Sequence, residues 1–171
     1  MFKIEDIAPE QYRNRTRKST LFIMGIFIII GFSTARLAVI SFGSYSNNHV
    51  VLNFLGAFIG LVITFWTVKI FYKDAKWMKE AMYGLNLKRQ LMAIYNVLER
   101  IQKAVEQGDK EAMKILRFYH LGTEQMHRFD DNTFELIELK VKMQALEVKM
   151  QEQKIDLNQT EFDIKSIDAY Q

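Results

Sequence analysis

The sequence predicts an all-α protein with a transmembrane helical hairpin followed by a small cytoplasmic helical bundle that includes a short coiled-coil-like helix. Three observations predict this class. Residues 20–68 carry one charged side chain, Arg36, whereas the other 122 residues carry 42. Apolar residues after position 69 recur at helical spacing almost to the last residue. One proline, eight glycines and no cysteine argue against a loop-rich β-sandwich and a disulfide-stapled module.

Composition and hydropathy divide the chain into four predicted parts. Residues 1–19 form a cytoplasmic N-terminal segment, and residues 20–72 form the hairpin. Residues 73–155 form the cytoplasmic helical domain, and residues 156–171 form a tail or a short helix.

Two apolar runs predict the spans of the hairpin. Residues 20–42 make a helix of about 35 Å, enough to cross a hydrocarbon core of about 30 Å. Residues 50–68 give about 28 Å, which is just sufficient. The link at 43–49 is seven residues long and rich in turn formers, so the two helices must run antiparallel.

Basic residues flank both runs and are absent from the link, which predicts that both termini are cytoplasmic. The flanking residues are Arg13, Arg15, Arg17, Lys18, Lys69, Lys73, Lys76, Lys79, Lys88 and Arg89. Anionic lipid headgroups are therefore the expected surface partner. A cleavable signal peptide is the competing interpretation, since Ser33-Thr34-Ala35 resembles a cleavage site, but acidic residues precede the run and LAVISF extends it.

The charge distribution argues against nucleic-acid binding despite a sequence pI near 9.0. Residues 1–89 carry a net charge of +7, and residues 90–171 carry −4. The basic excess therefore lies beside the predicted bilayer, and the distal part should repel phosphate backbones.

Three residues inside the spans predict how the hairpin packs. Arg36 lies six residues from the outer end of its helix, where its side chain can reach the headgroups or a loop. Pairing with a partner protein and an ion or substrate role are the alternatives. Gly56 and Gly60 form a GxxxG pattern, which favours close packing on the first span through Gly25, Gly31 or Ala35, or self-association of the hairpin.

The cytoplasmic part is predicted to contain three main helices. Residues 71–82 continue the second span or form an interfacial helix. One amphipathic helix follows at about 85–107, with Gly108 as its stop, and Asp109 caps a second helix at about 110–129. Asp131 or Asn132 caps the third helix.

The third helix carries a heptad-like seam of apolar residues. The seam consists of Leu136, Leu139, Met143, Leu146 and Met150. It fits one helix of an antiparallel bundle, or the seam of a homodimer. The tail is expected to form a short amphipathic helix that uses Phe162, Ile164 and Ile167.

We find no motif of nucleophilic, phosphate-binding or zinc-protease chemistry, so we expect no enzyme and no cofactor. One cluster stands out: His120, Glu124 and His127 lie at i, i+4 and i+7 on one helix face, and the last two have the Glu-x-x-His spacing of di-iron bundles. Metal binding and structural polar contacts are two interpretations of this face. The third is a partner-binding surface of Arg117, Phe118, Tyr119, His120, Gln125, His127 and Arg128.

The most distinctive stretch of the chain is residues 114–122 (KILRFYHLG) followed by 125–128 (QMHR). Further matching positions are Tyr12-Arg13, Thr16-Arg17-Lys18-Ser19-Thr20, Tyr83-Gly84, Leu87-Lys88-Arg89, Ala104-Val105-Glu106 and Gly108-Asp109. With these residues the chain resembles a family of small two-span inner-membrane proteins of gamma-proteobacteria, described as a domain of unknown function. The resemblance implies a bacterial inner-membrane location and carries over no activity and no catalytic residue.

We therefore expect a non-enzymatic scaffold, assembly or accessory subunit that acts through its cytoplasmic helices. Its partner would be another membrane or cytoplasmic protein, or a second copy of the chain. The alternatives are a metal-binding or metal-sensing membrane protein and a small oligomeric transporter or channel.

Overall fold

The computed structural model describes residues 1–46 and 48–171, so Asn47 of the predicted link lies outside the described residues. The described chain is almost entirely helical, as predicted. It separates into two compact units, one formed by Asn14–Met82 and one by Met1–Arg13 together with Tyr83–Gln171. Residues 1–13 of the N-terminal segment and the tail thus group with the helical unit, and residues 14–19 and 73–82 group with the hairpin.

Two long apolar helices dominate the hairpin unit. Helix α1 spans Pro9–Phe42 and helix α2 spans His49–Thr67. Helix α1 begins eleven residues before the apolar run because Pro9 suits a first helical position and the basic stretch that follows is compatible with a helix. The side chain of Asn48 caps α2 by accepting a hydrogen bond from the amide of Val51 at 3.2 Å. Both helices are long and apolar enough to cross a membrane.

The segment after α2 is interrupted rather than continuously helical. A π-helix covers Val68–Tyr72 and a 3₁₀ turn covers Lys76–Met78. Ala75 has an extended backbone, which separates these two elements and corrects the prediction of one helix over residues 71–82. Ser19 secures the turn within the same unit, since its hydroxyl donates to the carbonyl of Trp77 at 2.5 Å.

The predicted single helix at 85–107 is wrong. Helix α3 spans Lys79–Tyr95 and helix α4 spans Leu98–Glu106, with a break at Val97 (φ −120°). The apolar spacing concealed the break because the interruption is only two residues long. Ile94 before it and Ile101 after it are both fully buried.

The next two helices lie where the sequence predicts them. Gly108 has a φ of +85°, and the carboxylate of Asp109 caps helix α5 (Lys110–Phe129) by accepting from the amides of two residues that follow it. Helix α6 spans Thr133–Glu152. Asn132 holds its N-cap position without a side-chain hydrogen bond, and Asp131 forms the turn with a φ of 56°.

The tail closes the helical unit with a short strand followed by a short 3₁₀ helix, where the sequence predicts a short amphipathic helix. Strand β1 (Phe2–Lys3) pairs antiparallel with strand β2 (Glu161–Phe162), in a register that places Phe2 opposite Phe162. A 3₁₀ helix follows at Ile164–Tyr170. Phe162 and Ile167 are buried as predicted, whereas Ile164 is half exposed.

Helices α4, α5 and α6 supply most of the core of the helical unit, and β2 and the tail complete it. The main cluster of buried residues is Ile94, Ile101, Val105, Ala112, Met113, Ile115, Leu116, Phe118, Leu146, Met150, Ile155, Phe162 and Ile167. A second cluster consists of Tyr12, Tyr83, Leu87, Met126 and Phe129. Helix α5 contributes seven of these residues, more than any other element, so it is the central helix of this unit.

Candidate functional site

The predicted partner surface on α5 lies largely inside the helical unit. Phe118 is 1% exposed, stacks on Phe162 with ring centroids 4.9 Å apart, and meets the ring of Phe2 edge-on. A side chain in this position cannot contact a partner protein, which corrects the assignment of Phe118 to a surface.

Arg117 is also buried, and it connects three elements. Its Nη1 lies 2.6 Å from Oε1 of Glu147 on α6, and its Nε donates to the carbonyl of Leu157 at 3.0 Å. The Nη1–Oε1 contact is an ion pair without good hydrogen-bond alignment. Arg117 therefore holds α6 and the tail against α5, and its assignment to a partner surface is corrected as well.

Gln125 and Tyr83 form a hydrogen-bond relay with the N-terminal segment. The hydroxyl of Tyr83 donates to Oε1 of Gln125 at 2.5 Å and accepts from the amide of Glu5 at 3.0 Å. Nε2 of Gln125 donates to the carbonyl of Glu5 at 2.6 Å. Burial raises the pKa of Tyr83, so the hydroxyl stays protonated and remains a donor. Gln125 thus serves an internal contact.

The remaining two surface candidates differ in exposure. Tyr119 is half-buried, and this burial raises its pKa. Arg128 is exposed and its Nη2 lies 2.6 Å from Oε1 of Glu124, one turn earlier on α5. Of the predicted surface, only Arg128 stands clearly in solvent.

The predicted metal ligands are not brought together. Glu124 pairs with Arg128, and Nδ1 of His127 lies 3.1 Å from Oε2 of Glu135 on α6. His120 is 5% exposed, and its Nδ1 has no hydrogen-bond partner among the described residues. Across residues 1–46 and 48–171, no group of three His, Asp or Glu side chains is arranged to hold a metal ion.

The environment of His120 keeps its imidazole uncharged. Burial, followed by the positive charges of Arg117 and Lys142, lowers its pKa from 6.5 to about 4. The imidazole is therefore neutral near pH 7. Positive neighbours also disfavour a metal cation at this position.

The glycines of the hairpin pack as the sequence predicts. A Cβ on Gly56 would lie 2.5 Å from Cα of Ala35, and one on Gly60 would lie 2.6 Å from Cα of Gly31. Only glycine allows the two backbones to approach this closely. By contrast, the corresponding position on Gly25 meets nothing within 4 Å, so Gly25 takes no part in this contact.

Arg36 stands at the side of the same helix pair. Its side chain is exposed and lines a cleft together with Asn53 and Ala57 of α2. Within the described part of the chain it forms no ion pair. The cleft walls are otherwise apolar, with Phe27, Ile28 and Phe32 among them.

The inner face of α6 carries the seam that the sequence identifies. Leu139, Met143, Leu146 and Met150 are all buried, and the last two belong to the main core cluster. Helix α6 packs chiefly on α5 of the same chain. The seam is thus occupied within one chain, in keeping with the bundle interpretation rather than the homodimer interpretation.

The opposite face of α6 carries a second apolar row that the sequence analysis missed. This row, which we term the outer stripe, consists of Phe134, Ile137, Val141 and Val148. Their exposed fractions are 83%, 70%, 64% and 56%. A signal was available, because Phe134, Val141 and Val148 are spaced seven residues apart. Four large apolar side chains on one exposed helix face favour contact with another apolar surface.

The two lysines beside the outer stripe differ in whether they form an ion pair. Lys142 pairs with Glu138 on the same helix at 2.7 Å. Lys140 is exposed and forms no ion pair with any residue that the structure describes. The stripe with these flanks has the layout of one half of a helix–helix interface.

The comparison with protein families gives one match. Residues 2–167 match the model of a family described as "Protein of unknown function (DUF3087)". This confirms the predicted membership of an uncharacterised family. Neither the curated proteins nor the solved structures contain a match.

Proposed function

Because the chain belongs to the DUF3087 family, whose function is unknown, we propose a function from its geometry: a non-enzymatic, membrane-anchored scaffold or accessory subunit that binds a protein partner through α6. The outer stripe is the observation that carries this proposal. It presents four large apolar side chains on a folded helix whose other face is already buried.

The hairpin supports the anchoring part of the proposal. Both long helices expose large apolar side chains on all outward faces, including Ile29, Phe32 and Phe54, each more than two-thirds exposed. Burying such surface is worth about 25 cal/mol per Å², so it favours lipid over water. Pairing of the two helices through Gly56 and Gly60 leaves these side chains directed outward.

Charge at the helix ends supports the proposed orientation. Basic residues lie in the first part of α1, before its apolar run, and follow α2, and the link between the helices has none. The positive-inside rule then places both termini and the helical unit in the cytoplasm of a bacterial cell, with the hairpin in the inner membrane and its basic flanks at anionic headgroups.

Extraction and reporter fusions test the anchoring. We expect the chain to stay in the membrane pellet at pH 11, and a phosphatase fused after Gln171 to be inactive while one inserted after Ser44 is active. Recovery in the alkaline supernatant, or an active phosphatase at the C-terminus, would refute this part of the proposal.

Site-specific photo-crosslinking tests the interaction. A photoreactive residue is introduced at Ile137 or Val148 in the outer stripe, and in a matched control at Lys165, which is exposed in the tail and forms no ion pair among the described residues. We expect adducts of defined mass from the stripe positions in living cells and none from the control. Absence of any adduct from both stripe positions would contradict the proposal.

A further inference from the structure

The outer stripe has a heptad register that restricts how a partner helix can pack on it. In heptad notation Phe134, Val141 and Val148 occupy a positions, and Ile137 occupies a d position. The two later d positions hold Gln144 and Gln151, which are both exposed. The row is thus apolar at every a position and mixed at d.

An antiparallel second copy matches this pattern, because antiparallel packing places a positions opposite d positions. With Ile137 opposite Val148 of the second copy, Val141 faces Gln144 and Phe134 faces Gln151. Each glutamine then lies against an apolar side chain that can cover its methylene groups while its amide reaches solvent. All of these side chains are exposed in the structure, so none has to be uncovered first.

The charges beside the stripe select the same register. Lys140 and Glu147 each precede an a position, and in this alignment Lys140 lies beside Glu147 of the second copy, twice by symmetry. A shift of the register by one heptad in one direction would place Lys140 beside Lys140 of the second copy. A shift in the other direction would place Glu147 beside Glu147 of the second copy. The register is therefore the one that avoids like charges.

A parallel pair fits the charges less well. In a parallel pair, the residue before an a position of one helix faces the residue after the next d position of the other helix. Glu147 of one copy would then face Glu152 of the other. Lys140 would face Ala145 and gain nothing. Since like charges at these positions destabilise a pair, the antiparallel arrangement is favoured.

Glu147 can serve both its own chain and a second copy. Its Oε1 is engaged by Arg117, but its side chain is 31% exposed and a carboxylate has a second oxygen. Arg117 also fixes the position of this carboxylate, which reduces the entropy lost when Lys140 of the second copy approaches.

The size of the contact fits association on a membrane. A helix of 20 residues is about 30 Å long, and one face of it buries less than the about 800 Å² per partner of a standard interface. Such a pair is weak in dilute solution. Anchoring both copies in one bilayer raises their effective concentration, which compensates for a small interface.

We propose that two copies of this protein associate through an antiparallel pair of α6 helices, with Ile137 of each copy packed on Val148 of the other and Lys140 beside Glu147. This inference rests on the proposed function, of which it names the partner.

Cysteine crosslinking of the full chain in its membrane tests the geometry. The chain has no native cysteine, so introduced ones report alone. We co-express two differently tagged copies, one with Ile137→Cys and one with Val148→Cys, and oxidise them. The mixed disulfide should form. Ile137→Cys alone should not crosslink to itself, because its two copies lie 11 residues apart along the pair, about 16 Å. Met92→Cys on α3, whose side chain is 60% exposed, gives the collision background.

Three outcomes separate this inference from the proposed function. Mixed crosslinks above the Met92 background support the antiparallel pair. Self-crosslinking of Ile137→Cys equal to the mixed yield indicates a parallel pair and overturns the proposed geometry. Photo-adducts at the stripe to a different protein, without mixed disulfides, overturn the inference and leave the proposed function standing.

A charge reversal provides an independent check. Lys140→Glu replaces two attractive contacts with two repulsive ones, so we expect dimerisation in lipid vesicles to weaken at least about fivefold. Lys165→Glu makes the same change in net charge at an exposed position of the tail, outside α6, and should leave dimerisation unchanged. Equal dimerisation of both variants would refute the proposed charge pairing.

Discussion

Replacing Gly56 with alanine should destabilise the hairpin, although alanine is normally the better helix residue. The new Cβ would lie 2.5 Å from Cα of Ala35 and 2.7 Å from the carbonyl oxygen of Thr34. Carbon atoms in contact prefer about 3.5–4.0 Å, so α1 and α2 would have to separate by about 1 Å. Both neighbours are backbone atoms and cannot rotate aside. Overpacking of this kind costs about 1–3 kcal/mol.

Gly25→Ala is the matched control for this prediction. It lies in α1 of the same hairpin, yet a Cβ there meets nothing within 4 Å. It should keep the gain in helix propensity, which is about 1 kcal/mol in soluble helices. Each variant adds one methyl group to the hairpin, at Gly56 or at Gly25. The difference between their free energies of unfolding therefore isolates the effect of the close approach of the helices.

The assay follows unfolding of the full chain in mild detergent as a denaturing detergent is added. Both tryptophans, Trp66 and Trp77, lie in the hairpin unit, so their fluorescence reports on that unit. We expect Gly56→Ala to unfold at a lower fraction of denaturing detergent than Gly25→Ala, by about 1–3 kcal/mol, because the gain in helix propensity is common to both variants. Equal midpoints for the two variants would refute the close packing through Gly56.

Three further predictions concern the helical unit. The pKa of His120 falls from 6.5 to about 4 on folding, so between these pH values the unfolded chain binds a proton that the folded chain does not. The free energy of unfolding should therefore drop by up to about 3 kcal/mol as the pH falls from 6.5 to about 4. Urea unfolding at several pH values measures this drop, which should be shallower for His120→Gln. Arg117→Ala should destabilise the unit by about 3–5 kcal/mol, since it leaves Glu147 partly buried without its cation; thermal unfolding checks this, and a loss below 1 kcal/mol would contradict the buried pair. The hydroxyl of Tyr170 donates to Asp109 at 2.9 Å, and burial followed by this bond raises the pKa of Tyr170 to about 12; ultraviolet titration should find one tyrosine ionising near pH 12 that Tyr170→Phe removes.

Local chemistry made some elements predictable from sequence. The turn at Gly108 and Asp109 was predictable because a positive φ favours glycine, and a carboxylate at the N-cap satisfies free amides. The pairing of the hairpin through Gly56 and Gly60 was predictable for a similar reason, since small residues at a four-residue spacing mark one close-packed stripe. In each case the residues that carry the signal lie within a few positions of one another in the sequence.

Contacts between distant residues were not predictable in this way. Strand β1 is two residues long and pairs with a strand about 160 residues later, so no periodicity reveals it. Arg117 looked like a surface residue because charged side chains are usually exposed, and its partners Glu147 and Leu157 lie 30 and 40 residues away. The site predicted on α5 failed for this reason.

The outer stripe was missed for a different reason. Helix α6 is apolar on two opposite faces, whereas an amphipathic helix is expected to have one. The buried seam satisfies this expectation, so the pattern gave no reason to look for a second apolar face. The exposed row becomes recognisable once the seam is known to be occupied by α5.

The short ladder between Phe2 and Phe162 has a consequence for biosynthesis. Phe2 is synthesised about 160 residues before Phe162, with which it pairs, and the whole apolar hairpin is made between them. The ladder can therefore close only after the intervening hairpin and helices have been made, and closing so long a loop is entropically costly. Synthesis thus imposes an order on the assembly of this unit, since residues 2–3 are available long before residues 161–162.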